Sequence, residues 1–246
     1  MTRFRAARRR TATLALAAIV LLVAACAPAT RSPNDPDVRP YDLPALEGEA
    51  RYVVAVYDIE TDPTRVDVGL LPAAERDARF YAELGQGVGD VVMRELYELD
   101  RFDLVERRNL AAILAEQDLG RTGRFDPGTV AEIGRLSGAE LIVVGAVSEF
   151  AVDRTSAVLP GFLGGATLTT VRVTVELRVV DVRTGRILGL GSGRGSGTDS
   201  EVTLASLQQS IRLLRVGTVR PSLVGTALRN AIREALETAV ARLPSR

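Results

Sequence analysis

Cys26 is the only cysteine in this chain of 246 residues, and its immediate neighbours specify a covalent reaction. It follows Leu22-Val23-Ala24-Ala25, and small residues before a cysteine admit a lipoprotein signal peptidase. The expected chemistry is transfer of diacylglycerol to the thiol, cleavage, and acylation of the new amino group. Met1 to Arg10 carries five arginines and no acid, and Leu14 to Ala25 is twelve apolar residues, too short to cross a bilayer as a stable helix. Residues 1–25 therefore read as a signal peptide, with an ordinary secretory signal and an incidental cysteine as the other reading. Buried acyl chains, at about 0.8 kcal/mol per methylene, would hold the mature protein to a membrane. An aspartate after the cysteine would favour the inner membrane; the residue here is Ala27, which points outward.

Other chemistry is removed by what the chain lacks. It has no histidine, which excludes Ser-His-Asp hydrolysis and histidine-ligated metals. It has no lysine, which excludes a P-loop and a Schiff base. With Cys26 committed to lipid, thiolate catalysis and disulfides go as well. The acids are spread along helix faces and strand edges, so neither an enzyme, a metal site nor a cofactor is expected. The whole chain balances 31 basic against 31 acidic residues, but loss of the leader leaves 26 against 31. A net charge near −5 gives no support to a nucleic-acid partner.

The elements that would carry these groups follow from pattern. Residues 26–49 hold Pro28, Pro33, Pro36, Pro40 and Pro44, which fix an extended tether that could also lie along a neighbouring subunit. Residues 50–246 form the folded domain. Tyr52 to Ile59 reads as a buried strand. From Phe80, Leu84, Val88, Val91, Val92, Leu96 and Leu99 make a helical stripe, with Gly85, Gly87 and Gly89 permitting a close backbone. Arg101 to Glu106 is a short strand, Asn109 caps a second helix, Asp126-Pro127 starts a third, and Leu141 to Val147 is another strand. Val171, Val173, Val175, Leu177 and Val179 alternate with polar residues, and a turn at Asp181 to Gly185 leads into a hairpin partner. Gly189, Gly191, Gly193, Gly195 and Gly197 satisfy no nucleotide fingerprint and mark a strand that has one face against another backbone or is sharply bent. Ser222 to Leu243 is an amphipathic helix. The fold class expected is α/β: a mixed sheet with flanking helices, in two or three layers.

Three blocks, Arg101-Phe102-Asp103-Leu104-Val105-Glu106-Arg107, Gly138 to Val147, and Leu177 to Leu188 with its Arg178-Val179-Val180-Asp181-Val182-Arg183-Thr184-Gly185 core, resemble successive blocks of the CsgG curli production and transport lipoproteins, including the holdfast homologue HfaB. The resemblance runs from about Tyr52 to Leu243. It implies a periplasmic α/β domain, lipid-anchored at the outer membrane, whose subunits form a ring. Two β-hairpins per subunit would close into an oligomeric transmembrane barrel that exports fibre or adhesin subunits without nucleotide, aided by a possible periplasmic accessory protein. A closed circle of hairpins leaves no unpaired edge in lipid. The resemblance also implies a channel constriction after the first strand: Phe80 stands at the place of a family aromatic, Arg79 replaces an amide, and Tyr81 is a further candidate. Phe80 and Tyr81 could equally pack the start of the helix.

The candidate membrane hairpins are residues 149–177, with the valine row as the outward side of the second strand, and residues 189–225. In the second, Val202, Leu204, Leu207, Ile211 and Leu214 fit a packed helix as well as a strand. A non-pore alternative keeps the same domain as a periplasmic scaffold or activator of an envelope complex.

Overall fold

The computed structural model describes residues 38–43, 51–120, 138–158, 165–219 and 221–244. Cys26, most of the tether, the helix expected from Asp126 and the apolar tip expected near Phe162 lie outside them. In chain order come β1 (Tyr52–Thr61), a 3-10 turn (Ala73–Glu75), α1 (Ala78–Glu98), β2 (Phe102–Leu104) and α2 (Leu110–Gly120). Then follow β3 (Leu141–Val158), β4 (Gly165–Asp181), β5 (Ile187–Asp199), α3 (Leu204–Leu214) and α4 (Leu223–Val240).

The sheet runs β2-β1-β3-β4-β5. β1 is parallel to both β2 and β3, and β3, β4 and β5 are antiparallel, so the sheet is mixed, as its sequence predicts. Helices α1, α3 and α4 contact one another, with α1 on β1 and α4 on β4 and β5. The period-two reading of β4 is realised: Val171, Val173, Val175, Leu177 and Val179 are at most 2% exposed, while Arg172, Glu176 and Arg178 on the other face are exposed. These valines pack into the core beneath the helices and are not the lipid-facing row that a membrane hairpin would need.

α4 lies on β5 through backbone. Two residues of strand advance about 6.6 Å and four residues of helix about 6 Å, so a glycine at every second position can meet an alanine at every fourth. A Cβ on Gly189, Gly191, Gly193 or Gly195 would stand about 2 Å from the carbonyl oxygen of Ala239, Ala235, Ala231 or Ala227 respectively. Without Cβ atoms on β5, the helix settles onto the strand itself. Ser222 caps α4, its hydroxyl accepting from the Gly225 amide at 3.1 Å.

The second candidate membrane hairpin is not a hairpin here. Its first half is β5, but Leu204 to Leu214 is α3, capped by Thr203. Leu207, Ile211 and Leu214 fall at helical spacing and are 1–4% exposed, so burying one stripe favours helix over a strand that would leave half of them in water. Gly87 of α1 makes room for this helix, since a Cβ there would stand 1.7 Å from the Leu214 carbonyl oxygen.

Candidate functional site

The part of the tether that the structure describes, Val38–Leu43, is docked on α1 and α4 of its own chain. Glu95 of α1 is completely buried, and such a carboxylate needs partners on both oxygens. Arg229 and Arg233, one turn apart on α4, each place Nε at 2.6 Å from one of them. The Tyr41 hydroxyl donates to Oε2 at 2.9 Å, and its ring lies 4.6 Å from the Arg233 guanidinium carbon. Glu98 takes the remaining guanidinium edges at 2.6 and 3.1 Å. Burial, and then the Glu95 charge, push the Tyr41 phenol far above its ordinary pKa, so it stays a donor.

Backbone contacts fix the direction of this strap. The Arg39 amide donates to Asn230 Oδ1 at 2.8 Å, and the Asp42 amide to Glu237 Oε1 at 2.6 Å. Arg233 also donates to the Arg39 carbonyl at 2.7 Å, and Arg39 pairs with Glu237. The strap therefore runs parallel to α4, with its upstream end toward the N-terminus of that helix.

The second feature is the β3–β4 ribbon, paired without a gap from Glu149↔Thr174 to Val158↔Gly165. β1 leaves β3 at Val147, apart from one bridge between Val66 and Phe150, and β5 leaves β4 at Thr169. Among the described residues, β3 thus has no second neighbour over 151–158 and β4 none over 165–168, so the last four pairs, roughly 13 Å, stand as a two-stranded ribbon. One face of the extension carries Val152, Arg154 and Ser156 beside Val171, Thr169 and Thr167; the other carries Ala151, Asp153 and Thr155 beside Arg172, Thr170 and Leu168. Arg172 bridges Asp153 at 2.7 Å, and Ser156 meets Thr167 at 3.2 Å. Neither face is an apolar band.

The three constriction candidates stand at the start of α1, which Asp77 caps by accepting from the Phe80 amide at 2.7 Å. Phe80 is 1% exposed, with the Arg215 guanidinium 5.0 Å above its ring and Tyr81 edge-on at 5.3 Å. It packs the helix against α3 and faces no open surface in this chain. Tyr81 is buried beside a groove shared with Ile59, Thr61 and Gln86. Arg79 alone projects, its side chain 83% exposed and paired with Glu83. Sequence reasoning missed Glu95, Arg229 and Arg233. The available signal was a carboxylate within the stripe Val91, Val92, Leu96, and two arginines spaced by four along the stripe of α4.

Among the described residues, no helix is long and apolar enough to cross a membrane. The model of the family described as "Curli production assembly/transport component CsgG" matches residues 42–245, and the chain belongs to that family. No curated protein matches its sequence. Among solved structures it is similar to a hypothetical protein from Chlamydia trachomatis, at 16% identity and a TM-score of 0.42, over 76% of this chain and 94% of that one. It is also similar to the PelC dodecamer from Paraburkholderia phytofirmans, at 13% identity and a TM-score of 0.33, over 84% and 97%. A third is a lipoprotein from Neisseria meningitidis, at 16% identity and a TM-score of 0.30, over 68% and 99%. At these TM-scores the likeness is loose and says nothing of assembly or function.

Proposed function

We propose that this CsgG-family chain is an outer-membrane lipoprotein, acylated at Cys26, that works from the periplasmic side as a scaffold for an envelope assembly or transport complex. It does so without catalysis or cofactor. The observation that supports this reading over a pore is the state of the segments a pore would send into lipid. One is a capped helix with Leu207, Ile211 and Leu214 buried, and the other is a ribbon with Asp153, Arg154 and Arg172 in its middle. An arginine at mid-bilayer on the lipid face costs a barrel about 2–4 kcal/mol, and an aspartate less.

Acylated protein in outer-membrane-like vesicles tests this. Trypsin is expected to cut at Arg154 equally with and without detergent, and planar bilayers are expected to stay silent. Protection that detergent abolishes, together with conductance steps, would replace the scaffold by a secretion channel.

That channel is the second reading, and the family match and the β3 edge of the ribbon, unpaired beyond Phe150 among the described residues, favour it. In it, copies would close into a ring so that every ribbon edge finds a partner, and fibre or adhesin subunits would pass through. Arg79 is then the candidate for the constriction, whereas Phe80 would first have to leave its packing against Tyr81 and Arg215.

A further inference from the structure

The face of β4 and β5 turned away from α4 carries a basic and apolar corner. In an antiparallel pair, directly opposed residues share a face. Val180 opposes Ile187, and Arg178 opposes Leu190. The register shift at Val179/Val180 turns Leu188 inward toward the core and leaves both Ile187 and Leu190 outward. Ile187 is 57% and Leu190 55% exposed, and Val182 beside them in the turn is 52% exposed.

Charge is concentrated at the same place. Arg178, Arg186 and Arg194 are exposed and make no side-chain ion pair among the described residues. Arg194 continues the outward row of β5 beyond Leu190, opposite Thr174. Glu176 is the acid on this part of the face. Elsewhere Arg212, Arg215, Arg229 and Arg172 are ion-paired, with Glu75, Glu83, Glu95 and Asp153 respectively.

We infer that this corner docks an acidic, apolar-bearing segment of a partner polypeptide. Unpaired arginines around exposed aliphatic side chains complement carboxylates interspersed with apolar residues, and guanidinium groups suit carboxylates bidentately. A lipid surface offers similar chemistry, and the vesicle arm of the test separates it from a polypeptide. The inference deepens the scaffold reading by giving its partner a site and a chemistry.

The test uses the full acylated protein in detergent micelles and a fluorescein-labelled peptide alternating glutamate and valine, read by anisotropy. A lysine–valine peptide of equal length and phosphatidylglycerol vesicles are the comparators. The glutamate–valine peptide is expected to bind at least tenfold more tightly than the lysine–valine one. Arg178→Glu with Arg186→Glu should weaken that binding at least tenfold, and Leu190→Ser about threefold, with the circular dichroism melt unchanged. Equal binding of the two peptides, or binding indifferent to these substitutions, overturns the inference. So does self-association or vesicle binding that the same substitutions abolish while peptide binding persists. None of these outcomes depends on whether the protein conducts, so failure here and failure of the scaffold reading are separable.

Discussion

Gly193 and Ala231 meet so closely that a Cβ on the glycine would stand 2.0 Å from the alanine carbonyl oxygen. The neighbour is helix backbone, which cannot swing aside. Gly193→Ala should therefore lift α4 from β5 and cost about 3 kcal/mol or more. Gly197→Ala is the internal control, because its nearest neighbour is the end of the Leu223 side chain at 2.6 Å, which can rotate. Thermal melts followed by circular dichroism should show a large drop for the first substitution and a small one for the second. Equal drops would mean that strand flexibility, not contact with the helix, sets the requirement for glycine.

The buried carboxylate gives a second prediction. Glu95→Ala would leave Arg229 and Arg233 facing a hole in the core, and removal of one partner of a buried pair costs about 3–5 kcal/mol. Tyr41→Phe removes the hydroxyl that donates to the Glu95 carboxylate and carbonyl, keeps the ring against Arg233, and should cost about 1 kcal/mol. Urea titrations measure both. Limited chymotrypsin cleavage after position 41 should speed up in each variant, because the strap is held through the same cluster.

How far the sequence revealed these features depends on whether their signal is local. The rows of β4 and the stripe of α4 were legible because period two and period 3.6 survive in a short window. The glycines of β5 were legible as a close backbone approach, though which helix approached was not. α3 was ambiguous because Val202 and Leu204 fit period two while Leu207, Ile211 and Leu214 fit a helix, and the deciding fact is a groove beside Gly87, over a hundred residues away. The clamp around Glu95 joins residues 54 to 138 positions apart, and nothing near Tyr41 announces it.

Acid should loosen α3 before the sheet. Arg212 hydrogen bonds hold Glu75 below the ordinary carboxylate range, and Arg215, then Arg79, do the same for Glu83. A carboxyl that titrates lower folded than unfolded stabilises the fold above the unfolded value, about 4.3, and that contribution is lost as pH falls through the folded value. Both pairs tie α3 and the turn after it to the opposite side of the core. Protection from hydrogen exchange at Leu207 and Ile211, relative to the intrinsic rate at each pH, should therefore fall below about pH 4, earlier than at Val173 or Val175 in β4. Simultaneous loss at all four would show that α3 is not a separate unit.

The ribbon allows the scaffold reading to be inverted by design. Asp153, Thr155 and Arg172 share one face, and Arg172 bridges Asp153 at 2.7 Å. That bridge is half-exposed and contributes at most about 1 kcal/mol, so its loss should leave the domain folded. Replacing Asp153, Thr155 and Arg172 together by valine would give that face, with Ala151 and Leu168, the apolar row that a lipid-facing strand requires. In vesicles the triple variant is expected to gain detergent-sensitive protection at Arg154 that the natural chain lacks. If charge is what keeps the ribbon out of lipid, removing it suffices; if the natural chain is already protected, the ribbon enters the membrane in spite of these residues and the pore reading prevails.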